Sequence, residues 1–326
     1  MRHSTRALIA FALMILGASL AAAQEDCPRG QLDIAYCDRD GDMVADTPAD
    51  PKKLVDPPTL VFAYSPVEDP AVYVKAWEGF LRHMEKITGK KVTYFQVQSN
   101  AAQIEAMRSG RLHITGFNTG SNPIAVNCAG FVPFAIMGSD RGILGYEMEI
   151  IVPADSPIKT PSDLKGKKVA FTQPTSNSGF KAPSAILKAD FGLEAERDFT
   201  PVFSGKHDNS VLGVANKDYE AAAVANEVMN RMVARKAVDP AKYRSIYKSD
   251  TFPTSAYGTA HNLEPKLVEK IKQAFFTSPG RAPRSSTSSR RRTSSSRSTT
   301  RRTGRFFARS TRPPASNTLV NKHTCK

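Results

Sequence analysis

Beyond residue 20, the 326-residue sequence has no apolar run near the roughly 20 residues that a membrane-spanning helix needs. A helical membrane-embedded body is therefore excluded. There is no G-x-S-x-G, no H-E-x-x-H, no P-loop and no G-x-G-x-x-G dinucleotide fingerprint, so no enzyme constellation stands out. No Cys/His spacing reads as a zinc site. The last absence is local: residues 278–326 contain no acidic residue, but they hold 11 Arg and 2 Lys.

That last absence explains the formal net charge of +14, because +13 of it sits in those 49 residues. Residues 24–277 carry 30 basic and 31 acidic side chains. A nucleic-acid or membrane-surface binder would show its basic field on the folded body, and here the body is close to neutral. With 40% hydrophobic residues, this stretch is long enough for two modest lobes or one large domain.

Residues 1–23 read as a secretory signal peptide. Arg2 and Arg6 form the charged start, residues 7–20 the apolar run, and Ala21-Ala22-Ala23 the small-residue cleavage pattern. A retained anchor is the competing reading. No Cys directly follows the small residues, so a lipid anchor is not expected. Export permits disulfides. The four cysteines, Cys27, Cys37, Cys128 and Cys325, allow three pairings. Cys27 and Cys37 close a short local loop and are the favoured pair, and Cys128 is expected to be a buried free thiol.

Residues 24–57 form an Asp/Pro-rich extension. From 58 to 277, apolar runs alternate with helical patterns. Strands are expected at 59–64, 91–98, 112–116, 147–152, 167–172 and 221–224. Helices are expected at 72–87, 101–109, 180–191, 211–216, 227–235 and 264–277. This rhythm implies an α/β fold with mainly parallel sheets covered by helices, and ligands bind such sheets at the carboxyl ends of strands. The boundaries read as lobe 1 over 58–152, lobe 2 over 153–252, a return to lobe 1 over 253–277, and a basic low-complexity tail over 278–326.

Four features of the body could meet a ligand. In Val169-Ala170-Phe171-Thr172-Gln173-Pro174-Thr175-Ser176-Asn177-Ser178-Gly179, a strand runs through a hydroxyl-rich turn into a helix. Free N–H groups at a helix start, with Ser/Thr hydroxyls, suit a phosphate-like oxyanion, although plain N-capping by Ser176 or Ser178 explains the same residues. His207 lies in the polar run Ser204-Gly205-Lys206-His207-Asp208, where it could donate to an anion and titrate near neutrality, or simply be a surface histidine. Glu227 follows a strand and could accept from a ligand ammonium or proton, or serve the helix dipole. Tyr64 ends the first strand and could face a cleft or close the core.

A fifth feature stands apart. Asp38-Arg39-Asp40-Gly41-Asp42-Met43-Val44-Ala45-Asp46 places carboxylates at positions 1, 3, 5 and 9 around a glycine. Such oxygens suit a hard cation such as Ca²⁺. The Glu of an EF-hand is missing at position 12, where Ala49 stands, and a solvated acidic loop is the alternative.

The chain resembles the periplasmic phosphate/phosphite/phosphonate-binding proteins that serve ABC transporters. The resemblance covers about residues 59–277. It rests on Phe62-Ala63-Tyr64-Ser65-Pro66, Ser162-Asp163-Leu164-Lys165-Gly166-Lys167, Ser176-Asn177-Ser178-Gly179, Ser204-Gly205-Lys206-His207-Asp208 and Glu220-Ala221-Ala222-Ala223-Val224. It implies a type II two-lobed binding protein with a ligand in the inter-lobe cleft and an ABC permease as partner. It implies Ser176, Asn177, Ser178 and His207 around the oxyanion, with Tyr64 and Thr119 from lobe 1 and Glu227 near the substituent. Two departures are visible. The first-lobe turn reads Gly120-Ser121-Asn122-Pro123 without the family's aromatic, and Thr254-Ser255 stands where an acid is expected, which disfavours aminoethylphosphonate.

Rival readings are a two-lobed receptor feeding a sensor, a secreted calcium-dependent interaction protein, and, least of all, a nucleic-acid binder acting through the tail. The tail's 19 Ser/Thr among 13 basic residues share no logic with the body. Residues 278–326 are expected to be disordered, as if read out of frame.

Overall fold

A computed structural model describes residues 27–139, 142–278, 307–309 and 325. The expected signal peptide and most of the tail lie outside the described residues. Among those described, no helix is long and apolar enough to cross a membrane.

Two sheets organise the chain. The first contains β1 (Thr59–Tyr64), β2 (Lys91–Tyr94), β3 (Ile114–Phe117), β4 (Phe131–Ser139), β5 (Gly142–Ile143), β11 (Ala256–Ala260) and β12 (Phe307–Arg309), ordered β12-β4-β11-β3-β1-β2 with β5 beside β4. The second contains β6 (Gly145–Pro153), β7 (Lys168–Phe171), β8 (Thr200–Phe203), β9 (Ala221–Ala225) and β10 (Tyr243–Pro253), ordered β10-β6-β9-β7-β8. Helices α1 (Ala71–Thr88), α2 (Asn100–Arg108), α3 (Asn122–Ala129) and α7 (Pro265–Thr277) belong to the first lobe. Helices α4 (Ala182–Phe191), α5 (His207–Ala215) and α6 (Asn226–Ala234) belong to the second.

The fold is α/β and two-lobed, as expected, but each sheet is mixed. Pairs β1–β2, β1–β3, β7–β8 and β7–β9 are parallel. β11 runs antiparallel to β3 and β4, and β6 runs antiparallel to β9 and β10. The reason is topological. The chain crosses between lobes just before β6 and again between β10 and β11, and strands that enter a sheet from the other lobe arrive reversed. β6 is therefore part of the second sheet along its whole length, so the first crossing comes before residue 145 rather than after residue 152.

Local chemistry explains the elements. α1 ends at Gly89, whose φ of 74° lies in the left-handed region that glycine adopts without a Cβ clash. Its apolar face packs Trp77 and Phe80 against Phe62, and Phe80 meets Phe275 of α7 with ring centroids 4.8 Å apart. Tyr64 and Tyr257 stack in the same core, 6.1 Å apart. β9 is the all-apolar run Ala221-Ala222-Ala223-Val224-Ala225, buried at every position as a central strand requires.

Cys27 and Cys37 are bonded, as favoured from sequence. Cys128 is not a free thiol: it is buried on α3 and bonded to Cys325. Sequence separation alone had given no reason to pair residues 197 positions apart. That bond and the pairing of β12 with β4 also correct the expectation that all of 278–326 lacks structure.

Candidate functional site

The carboxyl ends of β7 and β9 face lobe 1 across a closed cleft. After β7, Thr172–Ser176 turns into a single π-helical turn, Asn177–Lys181, that continues into α4. Ser176 caps this start, its Oγ accepting from the Gly179 N–H at 3.1 Å. The capping reading is thus true, and it still leaves the Ser176 hydroxyl proton free to donate. The N–H groups of Asn177 and Ser178 open the helix and have no carbonyl behind them within it. Gly179 is required by space: a Cβ there would stand 2.0 Å from the Thr172 Oγ1.

His207 differs from expectation in two ways. It is the first residue of α5 rather than a turn residue, and it is buried. Its Nδ1 accepts the Ala225 N–H at 3.1 Å, so the proton of the neutral ring sits on Nε2. Burial, helped by the charge of Arg231, lowers its pKa to about 3. The ring is a neutral donor at neutral pH, and it does not titrate there.

Around these residues lies a cavity of about 20 Å³, lined by Val67, Asn118, Thr119, Tyr146, Ser176, Asn177, Ser178, His207, Ala225, Glu227, Thr254 and Ser255. The structure thus brings together Thr119, Ser176, Asn177, Ser178, His207 and Glu227 of the expected set. Tyr64 is not among the lining residues. It sits in the lobe 1 core, accepting from the Ser255 Oγ at 3.3 Å, with burial raising its pKa to about 12.

Tyr146, which the sequence did not single out, takes the aromatic position on the wall. Its hydroxyl donates to the Thr119 Oγ1 at 3.3 Å and accepts from the Asn177 Nδ2 at 3.0 Å, and burial pushes its pKa up. Thr254 and Ser255 also line the cavity, and the Thr254 Oγ1 is buried without a hydrogen-bond partner. The position read from sequence as a missing acid is therefore a pair of hydroxyls. A larger groove of about 270 Å³ lies elsewhere, between the N-terminal segment and His261. It mixes Arg39 and Lys53 with Asp46 and Asp50.

The lobes meet through several bonds around the cavity. The His207 N–H donates to the Val67 carbonyl at 3.0 Å, and the Asp69 N–H to the Asp208 Oδ2 at 2.9 Å. The Asn100 N–H donates to the Gln173 Oε1, and Lys181 Nζ to the Gly120 carbonyl at 2.7 Å. The strongest contact is ionic. Glu68, fully buried on lobe 1, accepts from Arg231 of α6, from Arg235 that caps the end of α6, and from the Tyr73 hydroxyl. Burial opposes the Arg231 charge, but Tyr73, Glu227 and Glu68 outweigh it and hold the pKa above its ordinary value. Arg231 also reaches Glu227, at 3.5 Å.

Away from the cleft, one oxygen from each of Asp38, Asp40 and Asp42 lies within 4.8 Å of the others. Asp46, expected with them, instead accepts from the Arg39 backbone N–H and guanidinium.

A family model described as ABC transporter, phosphonate, periplasmic substrate-binding protein matches residues 62–291. The chain is 28% identical over 229 residues to the phosphate-import protein PhnD of Mycolicibacterium smegmatis, covering 67% of this chain and 71% of the relative. It is 30% identical over 211 residues to the phosphonates-binding periplasmic protein of Escherichia coli, covering 64% and 62%. Among solved structures, a binding protein component of an ABC phosphonate transporter from Pseudomonas aeruginosa aligns with a TM-score of 0.63 at 26% identity, over 68% of this chain and 74% of that one. PhnD1 from Prochlorococcus marinus, solved with methylphosphonate, shares the fold with a TM-score of 0.59 at 17% identity, over 68% and 85%.

Proposed function

The chain belongs to the phosphonate family of periplasmic ABC-transporter substrate-binding proteins, and from that premise we propose that its cleft captures a small phosphorus oxyanion (a phosphonate, phosphite or phosphate) for uptake. The observation that carries the proposal is the character of the cavity wall. It offers Ser176, Ser178, Thr254, the His207 Nε2–H and a helix start, with no Lys or Arg among the lining residues. Many short neutral donors can surround a tetrahedral group in a dry site, where each bond counts for more than in water. The room in this form is that of one or two water molecules, less than a phosphorus oxyanion fills, so the walls must part slightly even around a compact head.

Glu227 sharpens the choice. A carboxylate beside an oxyanion repels it unless the ligand carries a donor, either a P–OH proton or an ammonium. Phosphorus oxyanions near neutral pH can keep that proton, whereas sulfate and sulfonates cannot. Glu227, although Arg231 stands 3.5 Å from it, thus favours phosphorus over sulfur through the repulsion that an oxyanion without a proton meets there.

The mechanism is a population shift. Serines and His207 come from lobe 2, and Thr119 with Thr254 and Ser255 from lobe 1 and the crossing, so only closure completes the donor shell. A ligand that binds the closed form better favours it. The closed form is what an inner-membrane ABC permease would read, and residues 1–23 would deliver the chain to the periplasm. This reading calls for no cofactor.

Ser178→Ala tests the turn. Losing one donor to a charged group costs about 1.5–3 kcal/mol, a weakening of roughly 10- to 150-fold. Affinity left unchanged for every phosphorus oxyanion, in a folded sample, would remove the turn from the site.

A further inference from the structure

The acidic loop is far from the cleft in the chain and belongs to the segment that wraps lobe 1. Leu32, Tyr36 and Ala45 pack there with Val126 of α3, and the Tyr36 ring meets His261 edge-on at 4.9 Å. The Cys27–Cys37 bond closes the segment just before Asp38. The Asp38 N–H donates to the Pro28 carbonyl at 2.6 Å, and the Asp46 N–H to the Cys37 carbonyl at 2.8 Å. The loop between them is therefore closed at both ends.

Inside that loop each carboxylate is aimed by a backbone N–H. The Asp38 Oδ2 accepts from Met43, the Asp40 Oδ1 from Asp42 and the Asp42 Oδ1 from Val44. These turns alone would describe any solvated acidic loop. What sets this one apart is Asp38. It is only 7% exposed, and its Oδ1 is buried with no hydrogen-bond partner. A buried carboxylate oxygen without a partner is costly, and buried charges are paired or coordinate metals. The same side chain is a member of a cluster whose three carboxylates offer atoms within 4.8 Å of one another. Oxygens bound to one ion at 2.3–2.6 Å stand no farther apart than about 5 Å.

We propose that Asp38, Asp40 and Asp42 form a calcium site that stiffens the N-terminal segment against lobe 1, independently of the ligand cleft. The donor set is all oxygen, with no nitrogen or sulfur, which selects a hard cation. A short loop with three carboxylates, completed by backbone oxygen and water, suits the loose coordination of Ca²⁺ better than the strict octahedron of Mg²⁺. Asp46 closes the loop from outside through Arg39 and is not a ligand.

The test uses the full oxidised chain, stripped with a chelator and titrated with Ca²⁺ alone and with Mg²⁺ alone. The expected result is one Ca²⁺ per chain, with a dissociation constant of about 10⁻⁵–10⁻³ M, and a higher Tm in excess Ca²⁺ than in equal Mg²⁺. Asp40 and Asp42 are exposed, so the double variant Asp40→Asn/Asp42→Asn keeps the fold and should lose both effects. Asp38→Asn should lose them as well. Affinity for methylphosphonate should be the same with and without chelator. No Ca²⁺ binding by the folded chain, binding unchanged in the double variant, or equal binding of Mg²⁺ would overturn the assignment. A chelator-sensitive affinity for methylphosphonate would overturn the independence from the cleft.

Discussion

Replacing Glu68 by Gln separates closure from folding. Glu68 stands on the β1–α1 connection of lobe 1, and its partners Arg231 and Arg235 stand on α6 of lobe 2 and at its C-cap. The two arginine bonds form only when the lobes are together, whereas the Tyr73 bond lies within lobe 1. Removing one member of a buried ion pair costs about 3–5 kcal/mol. Here the carboxylate is fully buried, but the two arginine side chains remain 35% and 32% exposed, and water screens them. Discounting by about half for that screening leaves about 2 kcal/mol. The open form never made the bonds, so the loss falls on the closed form alone and appears as a roughly 30-fold weaker Kd for ligand. Calorimetric titration of both proteins with the same phosphonate measures it, alongside the Tm without ligand, which should barely move. An unchanged Kd would refute the latch. A large fall in Tm with little change in Kd would show that the two lobes are locked together in the absence of ligand.

Two further predictions follow from the geometry. Gly120 of lobe 1 approaches lobe 2 so closely that a Cβ would lie 2.4 Å from the Asn177 nitrogen and the Thr175 oxygen. Gly120→Ala should prop the cleft and weaken ligand binding at least tenfold without lowering the ligand-free Tm, and an unaltered affinity would mean that these backbones do not meet on closure. Stability should also depend on pH through buried histidines. His207 and His261 are held by burial to pKa values of about 3 and about 4, and burial lowers that of His113. The unfolded chain takes up these protons below about pH 6.5 and the folded chain does not, so stability is complete above that pH and is lost as pH falls. At pH 5 the loss is about 2 kcal/mol for His207 and somewhat less for His261, which a Tm measured at pH 7 and pH 5 would register; equal values would mean that the rings are protonated in the fold.

Most of the parallel core was legible because its strands are continuous apolar runs, although β8, with Pro201 in its four residues, was not expected. β1 and β9 announce themselves in this way, and α1 through its stripe ending at Gly89. Of the antiparallel strands, β6 was expected at 147–152, but β4, β10 and β11 were not. β4 contains Pro133 and Gly138, β10 is largely polar, and β11 is a short Ala-Tyr-Gly-Thr-Ala run. β11 fits the centre of its sheet because Gly258 lets the Val132 carbonyl come within 2.2 Å of where a Cβ would be, a tertiary fact invisible in sequence. The hydroxyl turn at Ser176–Ser178 could be read because strand, turn and helix are contiguous. Tyr146 could not, since it sits at the start of β6, just after the crossing, and reaches the cavity only after the lobes are arranged. His207 was found for its neighbours, but its protonation depends on the Ala225 N–H, which only the fold brings near. Tyr64 ends a strand that points at the cleft, yet its ring is drawn into the stack with Tyr257.

The most direct test of the central claim is a calorimetric titration of the purified chain at neutral pH with phosphate, phosphite, methylphosphonate and aminoethylphosphonate, with sulfate as the donor-less control. The structure predicts saturable one-site binding of at least one phosphorus oxyanion, best for those with a short substituent, and none of sulfate. Silence with all four phosphorus ligands in a folded sample, or binding of sulfate as tight as that of the best of them, would contradict it.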